Sequence, residues 1–160
     1  MRDELLTIIE KNSRIDLKEL AVILGAEEID VVNELAALES EGIICGYHTM
    51  IDWEKTDIDK VSALIEVRVT PQRGQGFDNM AERIQKYPEV QSVYLMSGGY
   101  DLMIILEGKT LREVSSFVSN KLSALDTVLS TATHFILKKY KDHGTVLSRK
   151  KEDEREMITP

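Results

Sequence analysis

The sequence predicts an α+β protein in which an N-terminal winged helix-turn-helix precedes a C-terminal βαββαβ ferredoxin-like sandwich. Two observations lead to this prediction. Apolar residues recur at helical spacing three times before residue 42, and beyond residue 60 strand-like runs alternate with two further helical patterns. A chain of 160 residues is long enough for two such small domains.

Two short helices are expected at the start of the first domain, which we assign to residues 1–51. The first helix covers residues 3–12. Asp16 caps the second helix, because Glu19 follows three positions later in a capping-box arrangement, and Gly25 ends it. Their apolar stripes contain Leu5, Ile8 and Ile9 in the first helix and Leu17, Leu20, Ala21 and Leu24 in the second.

A third helix is expected to begin near Glu27 and to stop at Gly42. Val31, Leu35 and Leu38 fall at positions i, i+4 and i+7, which places them on one buried face. Residues 43–51, I-I-C-G-Y-H-T-M-I, are rich in strand formers around a glycine and predict a short β-hairpin. Three helices and a two-stranded wing are the parts of a winged helix-turn-helix.

The second domain, residues 61–141, follows a polar connector at 52–60 and precedes a charged tail at 142–160. The order of its elements is β-α-β-β-α-β, which predicts two helices on one face of an antiparallel sheet. Strands are expected over 61–70, 90–96, 100–106 and 127–140, helices over 77–87 and 110–123, and a turn at P-Q-R-G-Q-G (71–76). The tail contains R-K-K-E-D-E-R-E and is expected to be solvated and frayed.

One face of this sheet is expected to lack a helix and to keep apolar residues. The strand patterns leave apolar side chains on both faces, among them Tyr94, Met96, Leu102, Ile104, Leu106 and either Phe135 or Ile136. An uncovered apolar face predicts a partner, most simply a second copy of the chain packed sheet to sheet.

Composition narrows the possible functions. Apolar residues make up 42% and charged residues 30% of the chain, as in soluble globular proteins. No apolar run reaches the roughly 18 residues of a membrane span, and the first ten residues contain acids, which argues against a secretory signal. A cytoplasmic protein without a membrane partner is expected. Cys45 is the only cysteine, which excludes an intrachain disulfide.

No cofactor or metal site is expected, because no P-loop, dinucleotide fingerprint, nucleophile elbow or HExxH pattern occurs.

The charge distribution makes DNA binding by the third helix questionable. The net charge is −8, and residues 1–60 contain 6 Lys and Arg but 15 Asp and Glu. Affinity for DNA depends largely on Lys and Arg at phosphates, and residues 26–42 contain neither. Arg14 and Lys18 are candidates for phosphate contacts, Asn33 for base reading and His48 for a contact from the wing. The alternative is that the acidic face is solvated or binds a protein.

The segment S-G-G-Y-D (97–101) between two predicted strands is the candidate small-molecule site. Two glycines permit a tight hairpin turn, and this turn is one reading of the segment. In the other reading, the amides of Gly98 and Gly99 bind a carboxylate and Asp101 pairs with an ammonium group. These are the two charged ends of every α-amino acid.

The combination of both domains resembles the Lrp/AsnC family of amino-acid-responsive transcription regulators over about residues 1–141. The residues that carry the resemblance are Arg14, Leu20, Ala21, Gly25, Val31, Leu38, Glu39, Gly42, Ile43, Ile44, Gly46, Tyr47, S-G-G-Y-D (97–101) and T-A-T-H-F-I-L-K (131–138). The third helix departs from the family, which usually has Ser and Thr after the turn and then Arg or Lys. This chain has Glu27, Glu28, Ile29 and Asp30 there.

The resemblance implies a DNA-binding homo-oligomer, a dimer or an octamer, that binds an amino-acid effector between dimers. The implied effector residues are Ser97, Gly98, Gly99, Tyr100, Asp101, Thr131 and Thr133.

Two other functions stay open from the sequence. One is an amino-acid sensor or protein adaptor that has lost DNA binding. The other is an enzyme similar to sirohaem decarboxylase subunits, which look like Lrp/AsnC proteins. His134, His48 and Arg68 are scattered and form no metal-ligand or triad pattern, so a regulator is favoured over an enzyme.

Overall fold

The computed structural model describes residues 1–70 and 77–147 and divides the chain into two compact units, Met1–Met50 and Ile51–Pro160. The turn predicted at 71–76 and the charged run at 149–156 lie outside the described residues. The α+β class is confirmed, with three helices followed by a four-stranded antiparallel sheet and its helices.

Three helices form the N-terminal unit: α1 (Arg2–Lys11), α2 (Leu17–Leu24) and α3 (Glu28–Ser40). Asp16 caps α2 as predicted, because its side chain accepts hydrogen bonds from the N–H groups of Lys18 and Glu19. Gly25 ends α2 at a φ of 62°, in the left-handed region that glycine tolerates. The buried core consists of Leu5, Leu20, Ala21, Val31 and Leu38.

The β-hairpin predicted over residues 43–51 is wrong for the single chain, which has no strand there. The N–H groups of Ile43 and Ile44 both donate to the carbonyl of Leu38 and thereby cap α3. Further on, the Tyr47 hydroxyl donates to the Glu39 carboxylate at 2.8 Å. These bonds tie the segment to α3, and an isolated two-stranded hairpin has little stability to compete with them.

The C-terminal unit is a ferredoxin-like sandwich with the predicted element order. Its strands are β1 (Val61–Val69), β2 (Val90–Leu95), β3 (Leu102–Gly108) and β4 (Val128–Phe135), and its helices are α4 (Asp78–Ile84) and α5 (Leu111–Phe117). The sheet order is β2-β3-β1-β4, and all neighbours are antiparallel. β2 and β4 are therefore the edge strands.

The bounds of several elements differ from the prediction, most of all in the last helix and the last strand. The helix predicted over 110–123 is regular only to Phe117 and continues as a π-helical turn, Val118–Leu122. The last strand stops at Phe135, and Lys141–Asp142 and Thr145–Val146 form a second small hairpin (β5 and β6). The expectation of a frayed tail from residue 142 is wrong for these residues, because His143 and Gly144 adopt the positive φ values of a tight hairpin turn.

Strand alternation separates a covered and an uncovered face of the sheet. Ile65, Leu102 and Ile104 are fully buried beneath the helices. Their neighbours Leu64, Met103 and Ile105 point to the opposite face and are half-buried. The structure thus assigns Leu102, Ile104 and Leu106 of the predicted set to the covered face.

In the described part of the chain, no helix has the length and apolar character to span a membrane. Residues 1–70 and 77–147 also contain no group of three His, Cys, Asp or Glu side chains arranged to hold a metal ion.

Candidate functional site

The S-G-G-Y-D segment connects the edge strand β2 to β3. The Met96 N–H donates to the Asp101 carbonyl at 2.8 Å and closes a loop of four residues. Gly98 has a φ of +139°, which only glycine adopts readily. Among the described residues, no group accepts a hydrogen bond from the N–H of Gly98, Gly99 or Tyr100. The loop therefore contains three backbone donors that have no partner in the described part of the chain.

Asp101 is hydrogen-bonded to β1 through both its backbone and its side chain. Its N–H donates to the carbonyl of Val67 at 3.0 Å, and its Oδ2 accepts the Val69 N–H at 2.9 Å. The second bond has a clear local cause, since the pairing of β1 with β4 shifts register between Arg68 and Val69. One carboxylate oxygen of Asp101 therefore has a structural role. The other, Oδ1, has no hydrogen-bond partner within residues 1–70 and 77–147.

Thr131 and Thr133 lie on the edge strand β4, away from the loop in the single chain. Thr131 pairs with Val67, which in turn pairs with Leu102, so the whole of β1 separates Thr131 from β3. Adjacent strands are spaced at about 4.8 Å, which puts the Thr131 backbone roughly 10 Å from that of Leu102. Thr133 lies two residues further along β4, opposite Ile65, and is exposed. The structure brings Ser97 to Asp101 together and leaves both threonines apart from them.

A second concave region lies at the opposite end of β3 and was not predicted from the sequence. It is a cleft of about 500 Å³ between β3 and α5. Lys121 lies on its wall, 2.7 Å from Glu89 and above the rings of Tyr87 and Phe117. The hydrogen bond from Lys121 lowers the pKa of Glu89 below its ordinary value. The cleft carries charge of both signs, and its Glu89 carboxylate is paired with Lys121 through Oε1.

The acids of α3 are partly neutralised within the N-terminal unit. The Arg2 guanidinium pairs with Glu34 through Nε and with Glu41 through a second nitrogen at 2.7 Å. Hydrogen bonds to these two carboxylates raise the pKa of Arg2 further above its ordinary value. Glu39 accepts the Tyr47 hydroxyl, which raises the pKa of Tyr47. Charge counting along the sequence misses these contacts, because Arg2 lies 32 and 39 residues from its partners.

The predicted DNA-contacting residues are all exposed. Arg14 lies in the turn between α1 and α2, Lys18 in the first turn of α2, and Asn33 on α3. The side chains of Arg14 and Lys18 make no ion pair in the part of the chain that the structure describes. Both cations are therefore available to an external anion. His48 lies in the irregular segment after α3, since the wing that was expected to carry it does not form.

Comparison with known proteins agrees with this architecture. The Lrp/AsnC ligand binding domain matches residues 62–146. The HTH-type transcriptional regulator YugG of Bacillus subtilis is 49% identical over 158 residues, which is 98% of this chain and 95% of that protein. LrpA of Pyrococcus abyssi is 30% identical over 141 residues, 88% of this chain and 97% of LrpA.

A solved structure shares the fold. The transcriptional regulator NMB0573 of Neisseria meningitidis, crystallised as an L-Met complex, has a TM-score of 0.70 at 23% identity and covers 88% of this chain and 90% of its own. The chain thus has the fold of a two-domain DNA-binding regulator. It belongs to the Lrp/AsnC family of transcription regulators, which confirms the resemblance seen in the sequence. These relatives are transcription regulators and not enzymes, as predicted.

Proposed function

We propose that this regulator changes its DNA binding in response to a free α-amino acid held at the loop 97–101. In this proposal, residues 1–51 form the DNA-binding domain and residues 61–141 the effector domain, joined by 52–60. The Neisseria relative crystallised with L-Met supports an amino acid as the ligand class.

The observation that carries the proposal is that backbone N–H donors without a partner and one carboxylate oxygen without a partner lie in the same loop. The N–H groups of Gly98, Gly99 and Tyr100 have no partner among the described residues, and a ligand carboxylate is the acceptor they suit. Asp101 Oδ1 supplies the negative charge for a ligand ammonium group. The Val69 N–H holds the Asp101 carboxylate in place, so this acceptor is oriented before the ligand arrives.

Thr131 and Thr133 complete the proposed site only if a second chain supplies them, because β1 separates them from the loop of their own chain. We therefore propose a homo-oligomer. The uncovered face carries an apolar group of Leu64, Met103 and Ile105, together with Tyr94, which is 48% exposed. A second copy packed on this face would remove that group from water. Sedimentation of wild type and of Ile105→Glu tests the dimer, and two equal molar masses at monomer size would refute it.

Titration calorimetry with each of the twenty amino acids tests the effector site. We expect at least one amino acid to bind, and Asp101→Asn to weaken that binding about tenfold or more, as for a lost charged hydrogen bond. The asparagine keeps an oxygen for the Val69 N–H, so the loop geometry is retained. Glu82→Gln removes an exposed acid of α4 and is the matched control. Absence of binding by all twenty, or equal binding by wild type and Asp101→Asn, would exclude this site.

DNA binding is measured separately, by fluorescence anisotropy on DNA from the region upstream of the protein's own gene. A salt series should show log K falling by about 0.9 per phosphate contacted for each unit of log salt. Lys18→Ala should lower this slope by about one and weaken all DNA sequences alike. An unchanged slope of log K against log salt would show that Lys18 does not contact a phosphate.

A further inference from the structure

The helix α3 sorts its side chains into an uncharged outer stripe and acidic flanks. Successive residues of an α-helix are turned by about 100°, so the buried positions Val31 and Leu38 define the inner face. The opposite face consists of Ile29, Val32, Asn33, Ala36 and Ser40, which we call the outer stripe. All five are exposed, Ile29 to 64%. No acid of α3 lies on this stripe.

The acids lie on the two flanks of the outer stripe. Two of the four acids within α3, Glu34 and Glu39, already have a side-chain partner. By the same rotation, Asp30, Glu34 and Glu41 fall on one side of the outer stripe, and Glu28 and Glu39 on the other. Arg2 neutralises Glu34 and Glu41, and Tyr47 hydrogen-bonds Glu39. The acidity that opposes contact with a polyanion is therefore displaced from the surface that would enter the groove.

The chemistry of the outer stripe matches A·T base pairs and not G·C pairs. Guanine is usually read by Arg or Lys at its O6 and N7, and α3 has neither residue. Adenine is read by Asn or Gln through N6 and N7, and Asn33 is exposed at the middle of the stripe. Thymine presents a C5 methyl group to apolar side chains, which Ile29, Val32 and Ala36 provide.

We infer that α3 reads A·T pairs in the major groove, with Asn33 bound to an adenine and Ile29 and Ala36 against thymine methyl groups. This inference rests on the proposed DNA-binding function and specifies the base chemistry of its target. Lys11, Arg14 and Lys18 supply the attraction to phosphates, since their side chains make no ion pair in the described residues. Specificity then comes from uncharged contacts, and affinity comes from the helices that precede α3.

The test uses modified bases in an upstream DNA fragment that the wild type binds. Replacing thymine by uracil removes the methyl groups without altering base pairing, and 7-deazaadenine removes the N7 acceptor. We expect each modification within the half-site to weaken wild-type binding, by about tenfold at the adenine that contacts Asn33. Asn33→Ala should weaken binding to unmodified DNA by a similar factor and should be insensitive to 7-deazaadenine. Lys18→Ala is the contrast variant, since its loss should be the same for every base composition.

The possible outcomes distinguish failure of the A·T-reading inference from failure of the DNA-binding proposal. If the wild type binds DNA but neither uracil nor 7-deazaadenine changes the affinity, α3 does not read A·T pairs and the inference is wrong. Equal affinity of wild type and Asn33→Ala for the same DNA also overturns it. If the wild type binds no upstream DNA at low salt, with or without amino acids, the DNA-binding proposal itself fails.

Discussion

The two units of the chain differ in the size of their cores and in where their functional groups lie. In the described residues, the N-terminal unit buries five core residues and the C-terminal unit thirteen. A small core leaves little stability in reserve. The C-terminal unit presents its candidate site on backbone groups of a loop, whereas the N-terminal unit presents side chains on one helix. The exposed side chains of a helix can therefore change without altering its core, whereas a loop site depends on the sheet that holds it.

The largest expected effects come from matched core truncations. Leu38→Ala and Ile104→Ala each remove a fully buried side chain, and each should destabilise its unit by about 2–5 kcal/mol. Because the N-terminal unit has the smaller core, Leu38→Ala should abolish DNA binding and leave amino-acid binding intact. Hydrogen exchange read by segment measures both units in one sample. Equal loss of protection in both units after Leu38→Ala would show that the two units unfold together.

Gly98 and Gly99 should differ in how well they tolerate a side chain. Gly98→Ala should destabilise the C-terminal unit by roughly 1–3 kcal/mol, because its φ of +139° is strained for any residue with a Cβ. Gly99→Ala should change stability little, since its φ lies outside that region and a Cβ there would meet no atom within 4 Å. Thermal unfolding of both variants checks the difference. Equal midpoints would mean that the loop tolerates another conformation.

Removing the unpaired acids of α3 should strengthen DNA binding by a few-fold at low salt. Glu28→Gln combined with Asp30→Asn removes two charges that no basic side chain of the described residues neutralises. The matched control, Glu82→Gln with Asp57→Asn, removes the same charge from the C-terminal unit. Anisotropy across a salt series compares the two double variants. An equal gain from both would show a net-charge effect and not a local one at α3.

The smallest effect concerns pH and the Glu89–Lys121 pair. The pKa of Glu89 is lowered on folding, so the pair stabilises the protein above the ordinary value of 4.5 and loses this contribution as the pH falls through the lower folded value. Both side chains are more than a third exposed, so the contribution is at most about 1 kcal/mol. Urea unfolding of wild type and Lys121→Met at pH 7 and pH 3 measures it. A stability gap that widens at pH 3 would contradict the assignment.

Much of the fold could be predicted from local patterns. The i, i+4, i+7 spacing of Val31, Leu35 and Leu38 predicted the buried face of α3, and the start expected near Glu27 is within one residue of the observed one. Asp16 and Gly25 marked both ends of α2, because their signals depend on neighbouring backbone groups alone. The hairpin at 43–51 failed for the opposite reason. The segment has a high strand propensity, but the N–H groups of Ile43 and Ile44 hydrogen-bond to the carbonyl of Leu38 instead. Residue propensities do not account for such alternative hydrogen bonds.

Only part of the candidate site could be predicted from the sequence, for the same reason. The glycines at 98 and 99 pointed to a tight turn with free amides, and the loop has that form. The double attachment of Asp101 to β1 and the separation of Thr131 from the loop follow from strand order and register. Neither is encoded in a local pattern, since residues 69 and 101 are 32 positions apart.

The element order, the two apolar cores and the family could be inferred from the amino-acid sequence alone, because hydrophobic spacing and turn residues act over a few positions. Tertiary structure decided how the charges act. Arg2 reaches Glu34 and Glu41 only after the three helices pack, so no local pattern shows that these two carboxylates are neutralised. A count of acids treats every carboxylate alike. Folding neutralises some of them and turns the rest toward the flanks, so that the exposed centre of an acidic helix is uncharged.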